Sequence, residues 1–194
     1  MSTFPDTSTT LLVKLAARET GVDQAAWFRF FALYQPVMVE FARLRGAGDD
    51  AEDVVQDVFA DLAKTFQAGR YAREKGSFRA YLATMLRNEL ISRFRRKQAK
   101  SRVDGRARTP AAPLAAPSAD DLPVWNLARH RAAVEHVLTK TALSEQSRRI
   151  YRELLATGDN CAKVARRMGL PAATVRQVKS RVSRMIAAFE NATK

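Results

Sequence analysis

The sequence predicts an all-α protein: two small helical domains joined by a Pro/Ala-rich linker, the second containing a helix-turn-helix. Three observations predict it. Apolar residues recur every three or four positions almost throughout the 194 residues, and no long segment shows the strict alternation of a half-buried strand. Glycine and proline fall where those helical stripes stop. Between them, residues 104–123 change composition, with Pro110, Pro113, Pro117 and Pro123 interspersed among alanine, serine and aspartate, so that nothing there could bury a face. The length suits one ordinary domain or two small ones, and 46% hydrophobic with 27% charged residues is a globular composition.

The first domain, residues 1–103, opens its helical pattern with a stripe of Trp27, Phe30, Phe31, Tyr34, Met38 and Phe41. Gly46 and Gly48 then supply the positive φ that stops a helix. A second helix follows, with Asp49 or Asp50 as its cap and Ala51, Val54, Val55, Val58, Phe59, Leu62 and Phe66 as its buried face. Residues 69–76 read as a loop. Ser77 caps a third helix whose stripe is Phe78, Tyr81, Leu82, Met85, Leu86 and Leu90, continuing to Phe94 in increasingly basic company. The linker, residues 104–123, averages roughly 25 Å end to end as a random coil, which lets the two domains sit on separated sites.

The second domain, residues 124–194, begins with a helix carrying Val134, Val137 and Leu138. Ser144 caps the next, which carries Ile150, Leu154 and Leu155. Its end has the helix-turn-helix pattern. Ala162, Val164, Ala165 and Met168 are small or apolar, Gly169 makes the turn, and Pro171 starts a helix with Val175, Val178, Val182 and Met185 inward. The outward face carries Thr174, Arg176, Gln177, Lys179, Ser180, Arg181 and Arg184. Those types reach base edges and phosphates in a major groove, arginine favouring guanine and glutamine favouring adenine.

The net charge is +13, and its distribution says more than its total. Residues 87–108 and residues 160–194 each carry +7, and everything else carries −1. Two separate basic blocks suit a long polyanion. The first surrounds the end of a helix whose apolar face is already assigned to the core. Just ahead of it Phe66, Tyr71, Phe78 and Tyr81 interleave with Lys75 and Arg79, and stacking of unpaired bases on such rings contributes about 1–3 kcal/mol per base. Core packing is the competing role for these rings, favoured at Phe66 and Phe78. The second helix has the opposite sign, with Asp49, Asp50, Glu52, Asp53, Asp57 and Asp61 and no basic residue from Gly46 to Leu62. Its acids suit the helix dipole and a basic protein partner better than a metal, for which no second ligand-bearing segment is evident.

Several classes are excluded by what the chain lacks. One cysteine, Cys161, makes no disulfide framework, and with only His130 and His136 beside it there is no structural zinc set. The two histidines, six apart on one helix, are expected on different faces without partners, so no catalytic constellation is assigned. No Gly-rich phosphate loop is present. No apolar stretch approaches the roughly 18 residues of a membrane helix, and the first residues lack the pattern of a signal peptide. The expectation is a cytoplasmic, non-enzymatic protein with no cofactor and no metal.

Three stretches give the chain a family resemblance: Asp50-Ala-Glu-Asp-Val-Val-Gln-Asp-Val-Phe59, Gly76-Ser-Phe-Arg-Ala-Tyr-Leu-Ala-Thr-Met-Leu-Arg-Asn88 running into Arg93-Phe-Arg-Arg-Lys97, and the segment from Leu143 to Phe189. Together they resemble a bacterial RNA polymerase sigma factor of the extracytoplasmic-function type. The resemblance implies a transcription initiation factor that binds core RNA polymerase, directs it to a promoter and helps melt the DNA by capturing flipped bases. It implies that Asp50, Glu52, Asp53, Gln56 and Asp57 dock on the β′ clamp helices. Lys75, Phe78, Arg79, Tyr81, Arg87, Asn88, Arg93, Arg95 and Arg96 would serve the minus-ten element. The second domain would read the minus-thirty-five element and lean on the β flap, and an anti-sigma factor is a partner that such proteins often have. Ser92 departs from the family's usual aspartate, and Glu145 to Ile150 and Asp159 to Ala162 follow its pattern only loosely. Two other readings of the residues are a free-standing helix-turn-helix regulator and an RNA-binding protein using residues 93–108.

Overall fold

The computed structural model describes Leu15 and residues 24–68, 77–103 and 121–193. Its helices are α1 (Gln24–Leu44), α2 (Ala51–Gln67), α3 (Phe78–Val103), α4 (Asp121–Lys140), α5 (Glu145–Ala156), α6 (Cys161–Met168) and α7 (Ala172–Ala192), with a 3-10 turn at Gly48–Asp50. All regular structure among the described residues is helical. The expected loop at 69–76, with Tyr71 and Lys75, and residues 104–120 of the expected linker lie outside the described residues.

The first three helices pack where their stripes predicted. In α1, Phe30, Tyr34, Val37, Met38 and Phe41 are buried, and the chain turns away through Gly46 at φ 89° and Gly48 at φ 57°. Phe31 departs from its predicted stripe: it is 38% exposed and lies against Phe59, ring centroids 4.6 Å apart. The whole predicted face of α2 is buried. The expected aspartate cap is not made, because the Asp50 backbone is already helical and its carboxylate instead accepts from Lys97 of α3. Ser77 does cap α3, its Oγ accepting from the Ala80 N–H at 3.3 Å. Phe78 then sits among Phe30 and Tyr34, each 5.7 Å away between ring centroids.

Helix α4 starts at Asp121, earlier than the expected boundary at 124, and takes in Pro123. A proline in the first turn costs nothing there, since that N–H has no partner within the helix. The helix lies along α1, with Trp125 fully buried against Phe41 at 5.8 Å, and it also meets α3 and α7. One continuous set of buried residues therefore runs from α1 through α7. Arg131 adds an ion pair to Glu40 at 3.1 Å across the α1–α4 contact.

The remaining helices follow local signals. Ser144 accepts from the Ser147 N–H at 3.2 Å to start α5, and Asn160 accepts from the Lys163 N–H at 2.9 Å to start α6. Gly169, at φ 63°, ends α6, and Leu170 N–H returns to the Ala165 carbonyl at 3.0 Å. Val164 and Ala165 are buried with Val175 and Val182 of α7, so helix, glycine turn and helix occur where predicted. Ala162 is exposed.

Both histidines have partners, contrary to expectation, because the end of α7 crosses α4 between them. His130 Nδ1 lies 2.8 Å from Glu190 Oε1, and the His136 ring lies 4.8 Å from Phe189. Burial, then the nearby Lys140, holds the His136 imidazole below its ordinary value of 6.5. A depressed histidine contributes stability above its unfolded value that is lost as pH falls through the folded one. Thermal unfolding of the wild type should therefore decline on acidification below about pH 6.5 more steeply than that of His136→Gln. Parallel pH profiles would show that this ring is not responsible.

Candidate functional site

Helical spacing gives α2 two opposite faces. Val54, Val55 and Val58 point inward, which leaves Glu52, Asp53, Gln56 and Asp57 outward and exposed, with Asp50 half-buried at the head of the helix. This is the acidic surface expected from the sequence, and its charges are unequally committed. Asp57 pairs with Arg93, Asp50 with Lys97, and Glu52 with Arg43 at 3.4 Å. The Lys97 ammonium holds the Asp50 carboxyl below its usual range, and Asp57, through its hydrogen bond, raises the Arg93 guanidinium above its own. Asp53 is the one acid of the set with no ion pair among the described residues.

The pairings show that α2 and α3 run antiparallel. Asp57 meets Arg93 and Asp50 meets Lys97, so the basic end of α3 passes the head of the acidic helix. On α3, Asn88, Arg95 and Arg96 are exposed, although Arg96 also reaches Glu89 at 2.8 Å. Arg93 is only 22% exposed, held between Asp57 and Glu89. Arg79 and Tyr81 are half-buried, the latter 6.4 Å from the Phe78 ring.

Two residues expected to meet nucleic acid are corrected by burial. Phe78 is 8% exposed within the aromatic cluster, which is the core-packing role weighed for it. Arg87 is 2% exposed and paired with Asp121 of α4, a carboxylate that also accepts from Arg45 at 2.5 Å. The physical reason lies in the helix period. Arg87 shares its face with Ala83 and Leu90, both buried, and α4 covers that face. Lys75 lies outside the described residues.

On α7 the outward face stands as predicted. Arg176, Gln177, Ser180, Arg181 and Arg184 are exposed and share one side of the helix, the first two within its opening turns. Thr174 is half-buried. Lys179 is 34% exposed and tied to Asp159 at 3.3 Å, so it is less available to a phosphate than its arginine neighbours.

One surface feature escaped the sequence reading. Phe28 is 72% exposed, and with Trp27, Phe31, Phe59, Ala60 and Ala63 it lines a shallow apolar hollow beside the acidic face of α2. The signal was present: Phe28 follows Trp27 directly and so cannot share the inward stripe of Phe30 and Tyr34.

Residues 30–100 match the family described as sigma-70 region 2, a span that starts in α1, contains α2 and most of α3, and ends before α4. No curated protein and no solved structure matches the chain.

Proposed function

We propose that the chain is a sigma-70 family factor, a non-enzymatic protein that binds core RNA polymerase and promoter DNA and works as a cytoplasmic factor of the extracytoplasmic-function type, a reading supported by the match of residues 30–100 to sigma-70 region 2. In this reading Asp50, Glu52, Asp53, Gln56 and Asp57 of α2 dock on the β′ clamp helices. The basic surface of α3 serves the minus-ten element and its unpaired strand. Residues 124–194, which lie beyond the matched span, read the minus-thirty-five element through α7 and lean on the β flap. Melting is driven by binding: capturing flipped bases offsets the unstacking energy, with no nucleotide hydrolysis. An anti-sigma factor covering both helical groups is the further partner of this reading. Among the described residues no helix is long and apolar enough to cross a membrane.

The observation that carries the proposal is the exposed acid face of α2 within a chain of net charge +13. Such a face repels DNA and suits a basic protein surface, while Phe28 and Phe31 beside it provide the aromatic anchors typical of interfaces. Purified core RNA polymerase should capture the chain stoichiometrically and then open a promoter that core alone leaves closed. A folded preparation that core polymerase does not capture leaves a free-standing DNA binder as the surviving account.

Base reading by α7 has its own test. Arg176→Ala or Gln177→Ala should cost roughly 1–3 kcal/mol at the upstream element, and only for sequences carrying the contacted base. Arg184→Ala should weaken all sequences and flatten the salt dependence by about one unit. Uniform losses from all three changes, measured by anisotropy on promoter variants, would refute the assignment of readers.

A further inference from the structure

Helices α3 and α4 meet antiparallel, and their seam has two ends of opposite electrostatic character. At one end Asp121 pairs with Arg87. Eight residues along each helix, about 12 Å away, the same antiparallel register brings half-buried Arg129 of α4 alongside half-buried Arg79 of α3, near enough for their like charges to act on each other. Nε and Nη1 of Arg129 are buried and have no hydrogen-bond partner among the described residues. The acid of α7 whose field reaches it, Glu190, is already bonded to His130 at 2.8 Å. Asp121 is likewise committed, to Arg45 and Arg87. Burial, and then Arg79, pushes the Arg129 guanidinium below its ordinary value, and among the described residues Glu190 and Tyr34 offset this only in part.

A desolvated cation without a partner is destabilising, and an apolar residue of similar volume in its place is neutral or better for the fold. Unmatched donors of this kind concentrate where a ligand completes them. An arginine pair with donors to spare suits a phosphate group, whose oxygens accept several charge-assisted hydrogen bonds at once.

We propose that Arg79 and Arg129 form a phosphate-binding site across the α3–α4 seam, assembled from both helical groups. The chemistry is that of a phosphodiester or a phosphate monoester. With the nucleic-acid function proposed above, a strand backbone running along the first turn of α3 supplies it, and that choice of source rests on that function. The site itself does not.

The test uses the full chain with inorganic phosphate as the probe and thermal unfolding as the readout, at low ionic strength. Arg129→Gln should melt higher than wild type without phosphate, because an uncompensated charge is gone. Its half-saturating phosphate concentration for stabilisation should rise at least tenfold. Arg29→Gln, which removes the same charge from the exposed face of α1, should leave the phosphate response unchanged. Arg79→Gln should reproduce the Arg129→Gln result. The proposal is overturned if Arg129→Gln melts lower than wild type, which marks a structural arginine, or if its phosphate response equals that of wild type. A second arm identifies the source. Loss of about one unit of salt slope on single-stranded oligonucleotide binding by Arg129→Gln supports a strand phosphate. An unchanged slope with a weakened phosphate response supports the same site with a small phosphate ester as its ligand.

Discussion

Asp53→Arg is expected to abolish capture of the chain by core RNA polymerase while leaving its thermal unfolding unchanged. The side chain is exposed on α2, and it alone of the four acids in its set has no ion pair among the described residues. An exposed residue without partners changes stability by no more than about 0.5 kcal/mol when replaced. A reversed charge at a complementary interface acts differently, since it exchanges an attraction for a repulsion. The loss is about 2–5 kcal/mol, or roughly thirtyfold to a few thousandfold in affinity. Asp57→Arg is the less informative change, because it also strips Arg93 of its partner and sets two cations against each other at the α2–α3 contact. Retention of affinity within about threefold by a folded Asp53→Arg chain would show that α2 does not face the polymerase.

What the sequence made legible and what it did not divide along physical lines. Much that is decided within one or two helical turns was readable: the buried face of α2, the caps at Ser77 and Ser144, the left-handed turn at Gly169, and the outward row from Arg176 to Arg184. The unread features depend on which helix lands on which. Arg87 sits at a position that periodicity leaves ambiguous, and only the arrival of α4, from 34 residues away, turns it from a surface cation into a buried one. Asp50 looked like a cap because its sequence neighbours suit one, yet Lys97 from α3 takes its carboxylate. The acidic helix and the basic block at residues 87–108 in fact touch through Asp57–Arg93 and Asp50–Lys97. Local patterning thus placed the acidic face correctly but could not show that three of its carboxylates, those of Asp50, Glu52 and Asp57, are paired with cations of the same chain.

The long-range contact of Arg87 with Asp121 makes that aspartate a sensitive position for stability. Its carboxylate, 9% exposed, receives Arg87 at 2% and Arg45 at 21%, and among the described residues Arg87 has no other ion pair. Asp121→Asn removes the anion and leaves two desolvated guanidiniums facing each other, a change that costs about 3–5 kcal/mol when one partner of a buried pair is deleted. Against a usual total of about 5–15 kcal/mol, that loss is large enough to release α4 from α1 before the rest unfolds. Trp125, fully buried four residues along, reports the release directly. In a Trp27→Phe background its emission should shift to the red at denaturant concentrations where helical circular dichroism is still mostly retained. The double change Asp121→Leu with Arg87→Met should recover most of the stability, because it removes the charges together with their desolvation penalty. If Asp121→Asn unfolds within about 1 kcal/mol of wild type, with no separate Trp125 transition, then the pair contributes little and apolar contacts such as Trp125 with Phe41 hold α4 in place.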